Sequence, residues 1–542
     1  MNRRIVLFVV SAITVWTLIS FWRALPVTMQ DTGSVSGVVV TLDGGPAAGA
    51  RVRQQTATSF VTSGTDGSFT LGRLVEGQLI TVTAWLDGYY IGWQVVTPTV
   101  SGVTITIRPY PKGDNEDYAW RSAEDPEEDP RFKCSHCMVA YPEWKAGAHG
   151  QSAVNPRFFS MYNGTALTST TVVSPGYKLD FPGTAGNCAT CHAPGAATRK
   201  QGAFTADMND LRTSAEEEGV LCDFCHHIGG VYLNPATGLP YPNAPGVLSY
   251  RLYRTFGTDV LFLGPLDDVT RRVSFLPLEK KSQFCAPCHQ FSFWGTPIYQ
   301  SFNEWLQSPY PAQGVECQTC HMPPETVPYF VYPEMGGLIR DPNTLASHLD
   351  LGVKDTEFMQ KTVAMTVTAQ ISGDQVNVDV AITNVFAGHH VPTDYPGRNM
   401  ILVVRASDAD GYELTRLSGP VVPDWGGVGS LPDDYAGKPG KGYAKILRDA
   451  RSGQWPVVSY WKQAFIQSDN RIPAGATDVS HYEFQLRSAI PSAAKDLALG
   501  GSVHVEAMLI FRRLFIAQAR EKGWNTPDVV MARQEQLITW PQ

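Results

Sequence analysis

The pattern Cys-x-x-Cys-His constrains this chain more than any other feature of its sequence. It occurs four times, at residues 188–192, 222–226, 285–289 and 317–321. Two thiols one helical turn apart can add to the two vinyl groups of one haem, and the histidine that follows then lies under the iron as its proximal ligand. The pattern therefore predicts covalent attachment of c-type haem at each copy, with proximal ligands His192, His226, His289 and His321.

All 10 cysteines of the chain belong to pairs of this spacing, and the first pair is followed by Met138 instead of histidine. Cys-x-x-Cys pairs also occur in zinc sites, redox dithiols and structural disulfides. Four copies with a histidine, and no cysteine outside a pair, argue against those alternatives. The sequence therefore predicts five haem c groups, attached at Cys134, Cys137, Cys188, Cys191, Cys222, Cys225, Cys285, Cys288, Cys317 and Cys320.

Length and charge bound the organisation of the chain and its partners. Its 542 residues are enough for two to four domains. The net charge of -8 argues against nucleic acid as a partner. Haem propionates would add negative charge, so we expect redox partners with a basic docking face.

The N-terminus indicates the compartment. Arg3 and Arg4 precede residues 5–22, which contain no charged side chain. As a helix this stretch would span roughly 27 Å, enough to cross a bilayer core, and the basic pair favours a cytoplasmic N-terminus. We expect residues 1–30 to form an uncleaved membrane anchor; a cleaved signal peptide, which would leave the protein secreted, is the alternative. Either interpretation places the rest of the chain outside the cytoplasm, in the periplasm or on the outer face.

Residues 31–110 contain short runs of alternating apolar and polar residues separated by turns, which predicts a small β-sandwich. The region resembles the carboxypeptidase regulatory-like domain, and the matching segments are residues 33–39, 49–52, 66–69 and 88–89. The resemblance implies a transthyretin-like spacer or docking module without catalysis of its own.

Residues 111–133 are rich in acidic side chains, and prolines at 126 and 130 lie among them. This composition predicts a solvated linker. A calcium site beside the first haem is the alternative, because clustered carboxylates suit that ion.

The remaining chain divides into two regions. Residues 134–358 carry the haem motifs with weak helical periodicity, which predicts a loop-rich domain with short helices. From residue 359 to 542 the alternation returns, strictly at residues 374–382, and predicts a second β-sandwich with an insertion near 420–470 and a helical segment near 527–537. The predicted fold class is thus multidomain: an N-terminal transmembrane helix, a small β-sandwich, a loop-rich/α multihaem domain and a C-terminal β-sandwich.

A low-spin haem needs a sixth ligand, usually a second histidine. Four of the 12 histidines are proximal ligands, which leaves eight candidates. His227 directly follows a proximal histidine, so its side chain points elsewhere and could reach a neighbouring haem. His389 and His390 lie between a glycine and Val391-Pro392, an unusual place for purely solvent-exposed histidines.

Three further motifs flank these histidines, at residues 144–149, 304–323 and 388–393. Through them the chain resembles the cytochrome c-554-like family of multihaem cytochromes over roughly residues 130–395. The family patterns are W-x-x-S-x-H, with Gly147 here in place of serine, then E-W-x-x-S-x-Y before C-x-x-C-H-M-P, and G-H-x-x-P-T. The resemblance implies bis-histidine haems stacked in a conducting row, with distal ligands His149, His227, His348 and either His389 or His390. Spacing favours His389, and His136, His481 and His504 are expected to be surface or sandwich residues.

Met138 departs from the family pattern, which has a proximal histidine there. Its sulfur could ligate that iron opposite His149, which would raise the potential of the haem. Alternatively another histidine, or His149 alone, holds the iron and leaves an open position, or the site carries no haem.

These features favour an electron-transfer protein over an enzyme: a membrane-anchored pentahaem c-type cytochrome that carries electrons across the extracytoplasmic space. The expected partners are other cytochromes or a membrane quinol-oxidising complex. The alternative is a multihaem reductase of a nitrogen or sulfur oxyanion, with the Met138 haem as its active site. A cell-surface binding or structural protein is a third class, which five haems argue against.

Overall fold

The protein is described here from a computed structural model, which covers residues 32–130, 133–199, 204–257, 260–486 and 501–540. Strands predominate, and the helices are short. The first seven strands are β1 (Gly33–Thr41), β2 (Arg51–Gln54), β3 (Val61–Thr62), β4 (Ser68–Leu74), β5 (Ile80–Trp85), β6 (Gly92–Val96) and β7 (Val100–Ile107). They form two sheets, ordered β4-β1-β7 and β3-β2-β5-β6. Inward-facing apolar residues from both sheets, such as Val39 and Val82, share one core, because alternate residues of a strand face the same side.

The haem-motif region contains ten short helices and six short strands among its described residues. The helices are α1 (Ala140–Ala146), α2 (Pro156–Asn163), α3 (Tyr177–Asp180), α4 (Ala189–His192), α5 (Pro194–Ala197), α6 (Ser214–Glu217), α7 (Cys222–Cys225), α8 (Ala286–His289), α9 (Ser301–Leu306) and α10 (Cys317–His321). The strands form three two-stranded sheets: β8 (Ile228–Val231) with β9 (Tyr250–Leu252), β10 (Phe262–Gly264) with β11 (Val273–Phe275), and β12 (Phe291–Phe293) with β13 (Thr296–Tyr299). Single 3-10 turns lie at Cys134–His136, Gly246–Ser249, Pro277–Lys280, Ser282–Phe284, Pro311–Gln313, Pro333–Met335 and Pro342–Thr344.

The C-terminal region is a second pair of sheets. Its elements are α11 (Thr356–Lys361), β14 (Val363–Ser372), β15 (Gln375–Asn384), β16 (Asn399–Asp408), β17 (Thr415–Ser418), a 3-10 turn at Asp424–Gly426, β18 (Gly440–Asp449), β19 (Ala464–Asp469), β20 (Thr477–Gln485), β21 (Gly501–Arg512), α12 (Ile516–Glu521) and β22 (Val529–Trp540). The sheets are ordered β14-β15-β20-β17 and β19-β18-β16-β21-β22. A core built from both sheets, including Val378 and Leu509, lies between them.

Two local predictions for this region are wrong. The segment near 527–537, expected to be helical, is strand β22, which pairs antiparallel with β21 along nearly its whole length. The stretch near 420–470, expected to be an insertion, supplies β18 and β19 to the larger sheet. In both segments, pairing with other strands of the sheet determines that the backbone is extended, and the local sequence pattern does not.

The predicted fold class is also corrected. The described chain is mostly β, and the haem-motif region has only short helices. Within the described ranges no helix combines the length and the apolar character needed to span a bilayer, so the transmembrane helix of the prediction is not supported. The stretch assigned to that helix, residues 5–22, lies outside the described residues.

The N-terminal sheets and the acidic segment are fixed to the haem-motif region by polar contacts. Arg53 Nη2 lies 2.8 Å from Asp267 Oδ2, and Trp85 Nε1 donates to Ser274 Oγ at 3.1 Å. In the acidic segment Asp114 pairs with the buried Arg254 at 2.7 Å. Ala123 is buried in the same apolar cluster as α4 and α7, so this segment is not solvated throughout. Among the described residues no group of three or more histidine, cysteine or acidic side chains is arranged to hold a metal ion, so nothing supports the calcium alternative.

Candidate haem sites

Each Cys-x-x-Cys pair lies on a short helical turn. Four pairs lie at or next to α4, α7, α8 and α10, and Cys134 begins a 3-10 turn. One helical turn places the two thiols of a pair on the same side, as attachment of one haem requires. None of the ten cysteines forms a disulfide. Their free thiols fit covalent attachment of haem.

The proximal histidines fit iron ligation through Nε2. Nδ1 of His226 donates to the Leu263 carbonyl at 2.7 Å, and Nδ1 of His321 donates to the Leu351 carbonyl at 2.5 Å. A metal-bound histidine usually donates its other ring N–H in this way, which fixes the tautomer and the ring orientation. In both residues Nε2 is the nitrogen left for the metal.

Two predicted distal histidines show the same arrangement. His227 Nδ1 donates to the Asp223 carbonyl at 2.7 Å, and His389 Nδ1 donates to the His390 carbonyl at 2.9 Å. The side chain of His227 is only 4% exposed, and its Nε2 is buried without a hydrogen-bond partner. A buried polar atom without a partner is rare, because it loses its bonds to water. An iron ligand position for Nε2 accounts for it.

Two pairs of imidazoles have the separation expected of ligands on opposite sides of one iron. Metal–imidazole bonds of about 2.0 Å place the ring centres of two such ligands about 6 Å apart. The rings of His321 and His389 are 6.3 Å apart, with a 14° angle between their planes. The rings of His289 and His149 are 6.4 Å apart, at 67°. The structure thus brings together the third and fourth proximal histidines with two of the predicted distal ones, and the residues present fit bis-histidine haem.

His149 is therefore opposite His289, whereas the sequence suggested that it lies opposite Met138. Met138 is half-buried and follows the 3-10 turn at Cys134–His136, where its N–H donates to the His136 carbonyl at 2.9 Å. His227 directly follows the Cys222–His226 motif, whose first thiol touches that of Cys134. Its ring lies 5.0 Å from that of Tyr118, whose phenol interacts electrostatically with the Cys134 thiol.

The remaining two proximal histidines, His226 and His192, have different neighbours. The predicted distal ligand His348 lies close to His226. Burial, with a smaller contribution from His226, lowers the pKa of His348 to about 4. His192 instead stacks on Phe158, with ring centres 4.3 Å apart, and burial lowers its pKa to about 4. The imidazoles of His348 and His192 are therefore neutral at pH 7, and the neutral form is the one that ligates iron.

The other histidines lie away from these pairs. His481 is on β20 and its Nδ1 is 2.8 Å from Asp379, while His504 is on β21 and lies 3.4 Å from Glu535. Both are thus sandwich residues, as predicted. His390 faces Glu304, with Nδ1 3.6 Å from Oε1, so His389 is the member of the pair that faces a proximal histidine.

Glu304 positions the loop that carries His389. Glu304 Oε2 accepts from the His390 N–H at 3.1 Å and from Thr393 Oγ1 at 3.0 Å. Its other oxygen lies 2.8 Å from the Arg471 guanidinium, and both side chains are about 5% exposed or less. Tyr310, six residues on, donates its hydroxyl hydrogen to the Phe386 carbonyl at 3.0 Å. The E-W-x-x-S-x-Y pattern therefore holds the G-H-H loop in place.

Three carboxylates beside the histidines were missed by sequence reasoning: Asp350, Asp394 and Glu279. Asp350 Oδ2 is 2.8 Å from His149 Nδ1, Asp394 Oδ2 is 3.5 Å from His289 Nδ1, and Glu279 Oε1 is 3.6 Å from His226 Nδ1. Burial raises the pKa of Glu279, whereas contacts with His289 and Ser301 outweigh burial and hold the pKa of Asp394 below its ordinary value. Asp394 directly follows the G-H-x-x-P-T pattern, which is the one local signal that could have drawn attention to it.

Gly147, the departure from the family's serine, lies where a side chain would crowd one of these carboxylates. A Cβ at this position would be 3.2 Å from Asp350 Oδ2 and 3.1 Å from the Trp144 carbonyl oxygen. The glycine therefore leaves room for the carboxylate that contacts His149.

Neighbouring attachment sites are in direct contact. The thiol pairs that touch are Cys134 with Cys222, Cys191 with Cys288, and Cys285 with Cys317. Tyr250 lies among thiols of three motifs; burial, followed by the influence of those thiols, raises its pKa well above the ordinary value. Groups attached at these cysteines would therefore be close neighbours.

Comparison with known proteins places this arrangement in a known fold. No protein-family model and no curated protein sequence matches the chain. Among solved structures, the crystal structure of a penta-haem cytochrome c552 from Thermochromatium tepidum is similar, with a TM-score of 0.51 and 21% sequence identity. The match covers 75% of this chain and 97% of that one. This chain has the same fold.

Proposed function

We propose that this protein is an extracytoplasmic pentahaem c-type cytochrome that transfers electrons along a row of covalently bound haems. The observation that carries the proposal is the pairing of His321 with His389 and of His289 with His149, at separations that suit one iron between each pair. Both proximal members belong to Cys-x-x-Cys-His motifs. The fold shared with a penta-haem cytochrome supports the same conclusion.

The residues of the chain would perform three tasks. The cysteines would anchor each haem, and the imidazoles would ligate its iron through Nε2. Backbone carbonyls or, at His149 and His289, aspartates would hold the imidazoles at Nδ1. Bound haem supplies an iron that changes between its ferrous and ferric states. A protein that fixes both axial ligands leaves little room for substrate at the iron, which favours electron transfer over substrate chemistry.

Contacts between the attachment cysteines support a row of closely spaced haems. The Cys188, Cys285 and Cys317 motifs are linked in series by touching thiols, and the Cys134 and Cys222 motifs are linked to each other. Tyr250 lies among thiols of the Cys188, Cys222 and Cys285 motifs, so the two groups are neighbours. The proposed partners are other redox proteins, either cytochromes or a quinol-oxidising complex. The basic residues followed by an apolar stretch at the N-terminus support export from the cytoplasm.

Carbon monoxide tests this function against the reductase alternative. Iron with two histidine ligands does not bind carbon monoxide readily, whereas an iron with an open position does. We expect the reduced protein to keep its low-spin spectrum under carbon monoxide and to exchange electrons rapidly with a small cytochrome. Stoichiometric carbon monoxide binding together with turnover of nitrite, hydroxylamine or a sulfur oxyanion would contradict the proposal and favour a reductase.

A further inference from the structure

One of the two imidazole pairs has a carboxylate on each side. Asp350 Oδ2 is 2.8 Å from His149 Nδ1, and Asp394 Oδ2 is 3.5 Å from His289 Nδ1. The two carboxylate side chains are only 11% and 10% exposed, so water screens their charges weakly. Both ligands of this pair thus have an anionic acceptor at the nitrogen that faces away from the iron position.

The fold holds Asp394 in this orientation. Its Oδ1 accepts from Ser301 Oγ at 2.6 Å and from the N–H groups of Ser301 and Gln300 at 3.2 and 3.3 Å. These bonds occupy one carboxylate oxygen and leave Oδ2 for His289. The contact with His289 is therefore a built arrangement.

Both aspartates also have backbone conformations that L-residues rarely adopt. The φ angle is +49° at Asp350 and +58° at Asp394. Asparagine and aspartate tolerate this left-handed region better than other residues, and such conformations cluster at functional sites. Two carboxylates that face opposite ligands of one site share this feature.

Among the described residues, neither ligand of the neighbouring pair has a carboxylate within ion-pairing distance of its Nδ1, and Asp350 has only a smaller electrostatic effect on His321. His321 Nδ1 donates to the Leu351 carbonyl at 2.5 Å, and His389 Nδ1 donates to the His390 carbonyl at 2.9 Å. The two sites are adjacent, because the thiols of Cys285 and Cys317 touch. They therefore have the same ligand type but differ in the charge of the groups behind the ligands.

We propose that Asp350 and Asp394 are positioning residues that give the haem at Cys285 and Cys288 a lower potential than the haem at Cys317 and Cys320. An anionic acceptor at Nδ1 makes an imidazole more basic and so favours the ferric iron, whereas a neutral carbonyl does so less. Electrons would then pass downhill from the Cys285 site to the Cys317 site. This inference rests on the proposed function, since it requires haem at both sites.

The test is a potentiometric titration of the full-length haem protein and its Asp394→Asn variant. Asparagine can still accept a hydrogen bond from His289 but carries no charge. We expect the potential of one low-potential component to rise by about 59 mV, which is a tenfold change in the equilibrium constant of a one-electron couple. The ferric electron paramagnetic resonance signal of the same component should change, because its ligand field changes, and Asp394→Glu should restore both values towards those of the unmodified protein.

Asp434→Asn is the matched control. Asp434 is also a buried aspartate, 2% exposed, but it binds Arg520 at 2.7 Å in the C-terminal sheets and contacts no histidine among the described residues. We expect no shift in any component of this variant. Glu279→Gln should raise the potential of the haem at Cys222 only slightly, because Nδ1 of His226 already donates its hydrogen to the Leu263 carbonyl.

The outcomes separate this inference from the proposed function. Full haem content with no shift in the Asp394→Asn variant would overturn the inference and leave the cytochrome intact. An equal shift of every component, or the same shift in Asp434→Asn, would overturn it too. Absence of haem from the unmodified protein would overturn the proposed function itself. If Asp394→Asn fails to fold, Asp350→Asn decides: a rise of the low-potential component supports the inference, and no rise contradicts it.

Discussion

Nδ1 is the atom that ties six of the predicted iron ligands to their neighbours. His226, His321, His227 and His389 donate from it to backbone carbonyls, and Nδ1 of His226 and His227 also lies 3.6 and 3.1 Å from a carboxylate oxygen of Glu279 and Asp223. His149 and His289 face aspartates instead. A backbone carbonyl fixes orientation and tautomer without adding a full charge. The choice of acceptor is thus a residue-scale means of setting potentials without changing the ligands.

Replacing a proximal histidine should impair folding as well as the spectrum. We expect His289→Ala to lose the low-spin signal of one haem and to become sensitive to protease, because the ligand joins α8 to His149 through the iron. The measurements are haem absorbance per protein and the rate of limited proteolysis. His481→Ala is the control, since this exposed histidine is on β20 and binds only carboxylates; a normal spectrum in both variants would rule out His289 as a ligand.

Met138 provides a second residue-scale prediction. If its sulfur binds iron, the haem at Cys134 and Cys137 has the highest potential, because thioether ligation favours the ferrous state. Met138→His should then lower the potential of that haem and leave the potentials of the other four nearly unchanged in a redox titration. Met335→His, at an exposed position, should change nothing. Identical titrations of all three proteins would show that Met138 is not a ligand.

At the scale of elements, α9 connects two parts of the candidate sites. Its first residue, Ser301, binds Asp394, and Glu304 on the same helix holds the loop of His389. One short helix thus positions an acceptor for His289 and the distal ligand of the next site. Displacement of α9 would therefore move both Asp394 and the loop that carries His389.

The buried ion pair of α9 gives a stability prediction. Glu304 and Arg471 are 5% and 4% exposed and 2.8 Å apart. Glu304→Gln should lower the free energy of unfolding by about 3 kcal/mol, because removing one partner of a buried ion pair leaves an uncompensated charge. This loss is at the lower end of the range for buried pairs, since Asp469 still binds Arg471. Guanidinium titration measures the change, and weaker low-spin character at the Cys317 site should accompany it.

Glu357→Gln is the control for that variant. Glu357 pairs with Lys361 at 2.8 Å on α11, but both side chains are exposed. Loss of an exposed pair should change the free energy of unfolding by less than about 1 kcal/mol. Equal effects of the two substitutions would contradict a positioning role for Glu304.

At the scale of the whole molecule, two pairs of sheets enclose a region of short helices that carries the cysteines. The N-terminal sheets are fixed to it by Asp267, which binds Arg53 at 2.8 Å, and by Asp268, which accepts from the Thr56 N–H at 2.6 Å. The C-terminal sheets contact it through Lys445, which donates to the Ile298 carbonyl at 2.8 Å. The candidate haem sites thus have structured neighbours on both sides.

The whole protein should carry five covalent haems. The complete pairing of its 10 cysteines motivates this expectation. Intact mass spectrometry should show five haem masses above the mature polypeptide, and Cys134→Ala with Cys137→Ala should reduce the increment to four. An increment of four in the unmodified protein would refute a haem at Cys134.

The sequence alone predicts the attachment residues and proximal histidines, because each motif lies within five consecutive residues and the chemistry of one haem imposes its spacing. The alternation that marks β1 and β15 is local in the same sense. The helical assignment near 527–537 failed because β22 is a strand by virtue of its pairing with β21.

Only the tertiary structure decided which distal histidine faces which proximal one. His149 and His289, and His321 and His389, come from separate segments of the chain, so their pairing depends on how those segments pack. The same is true of Asp350 and Asp394, since no local pattern connects either aspartate with the imidazole that it contacts, His149 or His289. Covalent attachment is encoded within a few residues, whereas the sixth ligand and the charge behind each ligand depend on contacts between segments distant in sequence, and these are set by the fold.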